Sequence, residues 1–161
     1  MVCAPISVAT SAQAYTLSGC KWSSGAVPFR NLGGTPFASE VTAAAGAWNV
    51  STHLKLQSVS SANLSVTYQN NGATGYDGLT TSTCAGGIFS TAQSRINIYY
   101  TNSYTVPMRK AVWVHEIGHG AGLGHSTFSN AIMNPCSTCP YNSFGTNTPV
   151  SDDINGMNSL Y

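Results

Sequence analysis

The stretch Val114-His115-Glu116-Ile117-Gly118-His119-Gly120-Ala121-Gly122-Leu123-Gly124-His125 constrains this chain more than any other. His115 and His119 are four residues apart, so on a helix they project from one face, one turn from each other. Two imidazoles placed this way can share one metal ion. Glu116 sits beside the first of them, close enough to reach a water on that metal without ligating it. Gly118 and Gly120 weaken the helix, and Gly122 has no Cβ and can adopt positive φ. The chain can therefore turn sharply and bring His125 back as a third nitrogen ligand. Three neutral imidazoles leave one tetrahedral position open, the arrangement of a catalytic zinc and not of a closed structural one. Any fold for this sequence must supply a helix through His119 and a tight turn directly after it.

The rest of the pattern fits around that helix, which opens near Pro107. Thr35-Pro36 reads as another helix start, and Val41, Ala44, Ala45 and Trp48 form one apolar stripe behind it. Period-two alternation marks strands at Leu54-Leu56-Ser58, Leu64-Val66-Tyr68 and Ile96-Ile98-Tyr100, and Ala26–Phe29 is the core of an earlier strand. Residues 70–87, rich in Gly and Thr, read as a loop. A last helix opens at Ser151, with Asp152 and Asp153 in its first turn, where the helix dipole favours negative charge. The expected class is α+β, with strands first and helices later. Residues 15–161 form one domain. Residues 1–14, ending in Ala12-Gln13-Ala14, are an N-terminal arm or the remnant of a signal or pro-segment.

Composition narrows the setting. Only 7% of the 161 residues are charged, with six Lys and Arg against five Asp and Glu. That balance excludes a basic nucleic-acid groove and a polybasic membrane patch. No apolar run is long enough to span a membrane. The five cysteines, Cys3, Cys20, Cys84, Cys136 and Cys139, suit an oxidising, extracellular setting. Cys136 and Cys139 have CxxC spacing, which also fits a redox motif or half a zinc site. With no second CxxC and no βαβ pattern nearby, a local disulfide is the preferred reading. Cys20 is expected to pair with Cys3 or Cys84.

The motif HExxHxxGxxH, followed eight residues later by Met133 in Ala131-Ile132-Met133-Asn134-Pro135, resembles the metzincin metalloproteases and their Met-turn. Within them the chain is most similar to the matrixins. Ser126 directly follows the third histidine, and the tail Ser151-Asp-Asp-Ile-Asn-Gly-Met-Asn-Ser-Leu-Tyr161 looks like the matrixin C-terminal helix. The resemblance implies a twisted, mostly parallel sheet, an active-site helix, and a cleft above a short lower region that begins after Gly122. It implies that His115, His119 and His125 hold one zinc, that Glu116 is the general base, and that Met133 forms an apolar floor beneath the metal. It also implies that one of Asp152 and Asp153 anchors the N-terminal segment while the other ties the last helix to the Met-turn. The expected activity is that of a secreted, monomeric zinc endopeptidase acting on protein or peptide substrates.

The chain departs from the family in places. Vertebrate-type matrixins carry a second zinc held by three histidines and an aspartate, whereas only His53 is spare here. Calcium at Asp77 with carbonyls of Gly75–Gly78 is a weaker reading than a plain turn. The family's Pro-x-Tyr becomes Pro135-Cys136-Ser137, so the wall of the specificity pocket is rebuilt. A substrate strand is expected to add to an exposed edge at Gly86–Ser90, with Gly87, Ile88 and Phe89 as its contacts. Two rival readings stand beside the peptidase: a zinc-retaining domain that binds protein without turnover, and a zinc hydrolase of a non-peptide amide. The intact Glu116 argues against the first, because a pure binding protein has no use for a base there.

Overall fold

A computed structural model describes residues 13–161. The order of elements is β1 (Tyr15–Leu17), β2 (Ala26–Asn31), a 3-10 turn (Thr35–Phe37), α1 (Ala38–Ser51), β3 (Lys55–Ser58), β4 (Leu64–Gln69), β5 (Gly78–Ala85), β6 (Ile88–Asn97), α2 (Ile98–Thr101), α3 (Val106–Gly120), β7 (Leu123–Ser126), α4 (Cys139–Phe144) and α5 (Ser151–Leu160). The chain is thus mixed α and β.

Five strands form one sheet in the order β3-β2-β4-β6-β5. Every pair is parallel except β5 with β6, which is antiparallel and leaves β5 on the edge. The buried side chains Val27, Phe29, Leu56, Leu64, Val66 and Ile96 point from this sheet into the core. There they meet the α1 stripe, in which Val41, Ala44, Ala45 and Trp48 are all buried at the expected helical spacing. Trp48 is fully enclosed, and its indole N–H donates to the Val114 carbonyl of α3 at 3.0 Å. Burying a side chain of this size contributes roughly 1.5–3 kcal/mol. Arg109 adds a second tie between the helices, a forked ion pair with Glu40 at 2.6 and 2.7 Å.

Two strand expectations are corrected. Residues 70–87 are not all loop, because β5 occupies Gly78–Ala85. The strand that includes Ile96 stops at Asn97 and does not run to Tyr100. The Asn97 side chain accepts the Tyr99 N–H at 3.2 Å, and this cap turns Ile98–Thr101 into a helical turn. The helix near Thr35 also begins later than expected, since Thr35–Phe37 is a 3-10 turn and α1 opens at Ala38.

A two-stranded sheet, β1 with β7, lies apart from the main one. Disulfides join Cys20 to Cys84 and Cys136 to Cys139. The first selects one of the two partners expected for Cys20. Cys3 and the expected arm 1–14, apart from its last two residues, lie outside the described residues. Among the described residues no helix is long and apolar enough to cross a membrane.

Candidate active site

Helix α3 opens with Thr105 as its cap and Pro107 in its first turn, and it carries His115, Glu116 and His119 toward the cleft. Its C-terminal carbonyls are orphans that need donors. The Trp22 indole N–H donates to Gly120 O at 2.9 Å, and the Tyr161 hydroxyl donates to Ala121 O at 2.7 Å. Gly122 then makes the turn with φ of 114°. A Cβ at that position would lie 2.5 Å from the Cys20 carbonyl oxygen, so only glycine fits both the angle and the space. The turn delivers His125 on β7, where Thr16 Oγ1 of β1 donates to the His125 carbonyl at 2.8 Å.

The three imidazoles converge. His119 Nε2 lies 3.0 Å from His115 Nε2 and 3.2 Å from His125 Nε2. His115 Nδ1 is 2.8 Å from the Ile132 carbonyl, and His119 Nδ1 is 2.8 Å from the Leu123 carbonyl. A carbonyl can only accept, so both Nδ1 atoms carry the proton and both Nε2 atoms present lone pairs. Lone pairs held 3.0 Å apart repel unless a cation lies between them. Burial, helped by the neighbouring rings, pushes His115 down to about 3. Burial also lowers His119 and His125, so the neutral, ligating form is favoured at all three. The donor set and tautomers fit zinc, with carbonyls orienting two of the rings from behind. Among the described residues this is the one group of three or more metal-capable side chains.

Glu116 is 4% exposed and faces the same space. Burial pushes its carboxyl up to about 8, while a 2.8 Å hydrogen bond from the Thr80 hydroxyl acts in the opposite direction. Ser94 Oγ donates to the Glu116 carbonyl at 2.8 Å. Thr80 on β5 and Ser94 on β6 thus fix this residue, and neither stood out in the sequence. Ser94 had one signal, a polar residue in phase with the inward Ala92 and Ile96 of β6, and Thr80 had none.

Below the histidines, Met133 is fully buried, and its Sδ would lie 2.5 Å from a Cβ at Gly118. Asp153 accepts three backbone N–H groups, from Ile132 at 2.9 Å, Met133 at 3.1 Å and Val150 at 2.9 Å. Asp152 accepts from the Ala14 N–H at 3.0 Å and from Ser126 Oγ at 2.7 Å. Pro135 is exposed and lines a cleft of about 640 Å³ together with the histidines and Glu116. Gly87, Ile88 and Phe89 do not line it. Gly87 lies in the turn between β5 and β6, and Ile88 and Phe89 open β6, with Phe89 buried against Trp22 at 5.3 Å between ring centroids. The accessible edge beside the cleft is instead β5, whose Gly78, Leu79, Thr80 and Ser82 line it.

The family model for matrixins matches residues 28–161, a span that holds the three histidines, Glu116, Met133 and the Asp pair. The chain belongs to the matrixin family. Over 51 residues, 32% of the chain, it is 45% identical to mouse matrix metalloproteinase-25 and 43% identical to the human protein of that name. That stretch spans only 8% and 9% of those proteins. A chain of the GM1-bound ECX AB5 holotoxin shares the fold, with a TM-score of 0.61 and 16% identity over 84% of this matrixin and 80% of that chain.

Proposed function

We propose that this matrixin is a secreted zinc endopeptidase that hydrolyses peptide bonds, with Glu116 as general base. The observation that carries the reading is the convergence of three Nε2 atoms, those of His115 and His119 left unprotonated by their carbonyl partners, beside a buried carboxyl. His115, His119 and His125 would hold the zinc, which supplies Lewis acidity toward a carbonyl and lowers the pKa of water. Glu116 takes a proton from the attacking water and passes it to the leaving amine. Its raised pKa before metal is bound suits it to hold that proton between the two transfers. The Thr80 hydroxyl keeps its carboxyl aimed along one direction. A peptide would lie extended in the cleft and add as a strand to the free edge of β5. Secretion is supported by the two disulfides.

The test uses the purified protein on casein, with and without a chelator, alongside elemental analysis. Cleavage that stops on chelation and returns with zinc, at one zinc per chain, is expected. Zinc bound at that ratio without any cleavage would favour the binding-module reading instead.

A further inference from the structure

Five acids are present in the chain. Glu40 is paired with Arg109, Glu116 lies at the histidines, and Asp152 and Asp153 are buried under hydrogen bonds. Asp77 differs from all of these. It sits just before β5, on one wall of the cleft, and its carboxylate reaches the opposite wall. Ser137 Oγ donates to Asp77 Oδ2 at 3.0 Å, and the Tyr104 hydroxyl donates to Oδ1 at 2.8 Å. Both partners are neutral hydroxyls, so neither offsets the charge. Two donors also leave about half of the roughly four lone-pair sites of a carboxylate unused. No lysine or arginine lines the cleft among the described residues.

Resting on the peptidase reading, we propose that Asp77 is a specificity-determining residue that makes the cleft prefer a substrate with a lysine or arginine side chain lodged against it. The pocket is the part of the cleft bordered by Asp77 and by the wall Pro135–Ser137 to which it is hydrogen-bonded, a wall that the Cys136–Cys139 disulfide holds as a short closed loop. A cationic side chain reaching that point meets an anion with free acceptor sites, in a recess partly shielded from water. An acidic side chain lodged there would meet the Asp77 carboxylate with no cationic side chain lining the cleft beside it.

The experiment is a peptide series, identical except that each position flanking the cleaved bond is in turn Lys, Arg, Leu or Glu, assayed with the zinc-loaded protein. At one position kcat/KM for Lys and Arg should exceed that for Leu by about 10–100-fold, the scale of one charge-assisted hydrogen bond. Glu should be poorest there. Asp77→Asn should collapse the Lys-to-Leu ratio toward one. Ser137→Ala, which removes a donor and leaves the charge, should keep it. If Asp77→Asn does not fold, the wild-type profile and its decline with added salt still decide. Cleavage of the series with no basic preference at any position overturns the proposal alone, as does an Asp77→Asn protein that keeps the ratio. Failure to cleave any peptide overturns the peptidase reading as well.

Discussion

Asp153→Asn is the substitution whose consequences follow most directly from the geometry. The wild-type carboxylate accepts Ile132 and Val150 N–H on Oδ2 and Met133 N–H on Oδ1, and it has no exposed surface. An asparagine has one acceptor oxygen. If that oxygen replaces Oδ2, the new NH2 faces the Met133 N–H, donor against donor. If it replaces Oδ1, two N–H groups are orphaned. A buried orphan costs roughly 1–3 kcal/mol, and the substitution creates at least two, counting the amide's own protons. Relief of a buried charge offsets part of this, because burial already holds the Asp153 carboxyl above its usual range. The net expectation is a loss of about 2–4 kcal/mol. For a chain of this length that corresponds to a fall in Tm of roughly 5–15 °C. A second effect should travel with it. Ile132 donates its N–H to Asp153 and accepts from His115 Nδ1, so the acid steadies the ring that steadies the metal. Loss of such a supporting partner weakens metal affinity by about 10–100-fold. Differential scanning calorimetry and competition with a chromophoric chelator read the two effects separately. A variant with wild-type Tm and wild-type zinc affinity would refute the account.

The other predictions are smaller in scope. Asp152→Asn keeps an acceptor for either the Ala14 N–H or Ser126 Oγ, so it should cost less than its neighbour, about 1–2 kcal/mol, and mainly raise amide exchange around Tyr15–Leu17. Glu116→Gln should retain zinc and fold while losing about 10²–10⁴ in turnover; near-normal rates would place the base elsewhere. In metal-free protein, His115 titrates near 3 when folded against 6.5 when unfolded, so the unfolded chain binds more protons and stability should fall as pH drops through that window. Glu116 runs the other way, from 4.5 unfolded to about 8 folded, and costs stability as pH rises. Urea titrations should therefore show metal-free Glu116→Gln gaining on wild type between pH 5 and about 8, and a constant difference would contradict the assigned shift.

How far the sequence could be read depended on whether an element has a buried face. α1 and α3 bury continuous stripes, so the existence of α1 followed from the apolar spacing up to Trp48 and that of α3 from the histidine spacing, although α1 opens three residues later than expected. β5 was missed because its residues are almost all exposed or half-buried, so its alternation carries no hydrophobic signal. That same exposure makes it the edge beside the cleft. The strand through Ile96 was overextended because Ile98 and Tyr100 continue the period-two pattern, and only the Asn97 cap breaks it. Three histidines and a glutamate were legible because their spacing is local. Thr80 and Ser94 were not, because sheet pairing brings them to Glu116 from 36 and 22 residues away in sequence and each is an ordinary residue type on its own, while Asp77 stood out only as a turn residue or weak calcium ligand.

The strand β1 has a practical consequence for anyone trimming this protein. The stretch that matches the family begins at residue 28, yet His125 rides on a strand whose pairing partner is Tyr15–Leu17. Ser18 and Trp22, which donate to the Gly122 and Gly120 carbonyls at the end of α3, also lie before residue 28. A piece cut at the edge of the match would keep every residue of the motif and lose the hand that holds the third ligand in place. Expression boundaries drawn from the match alone would therefore yield a chain with the right letters and a slack site.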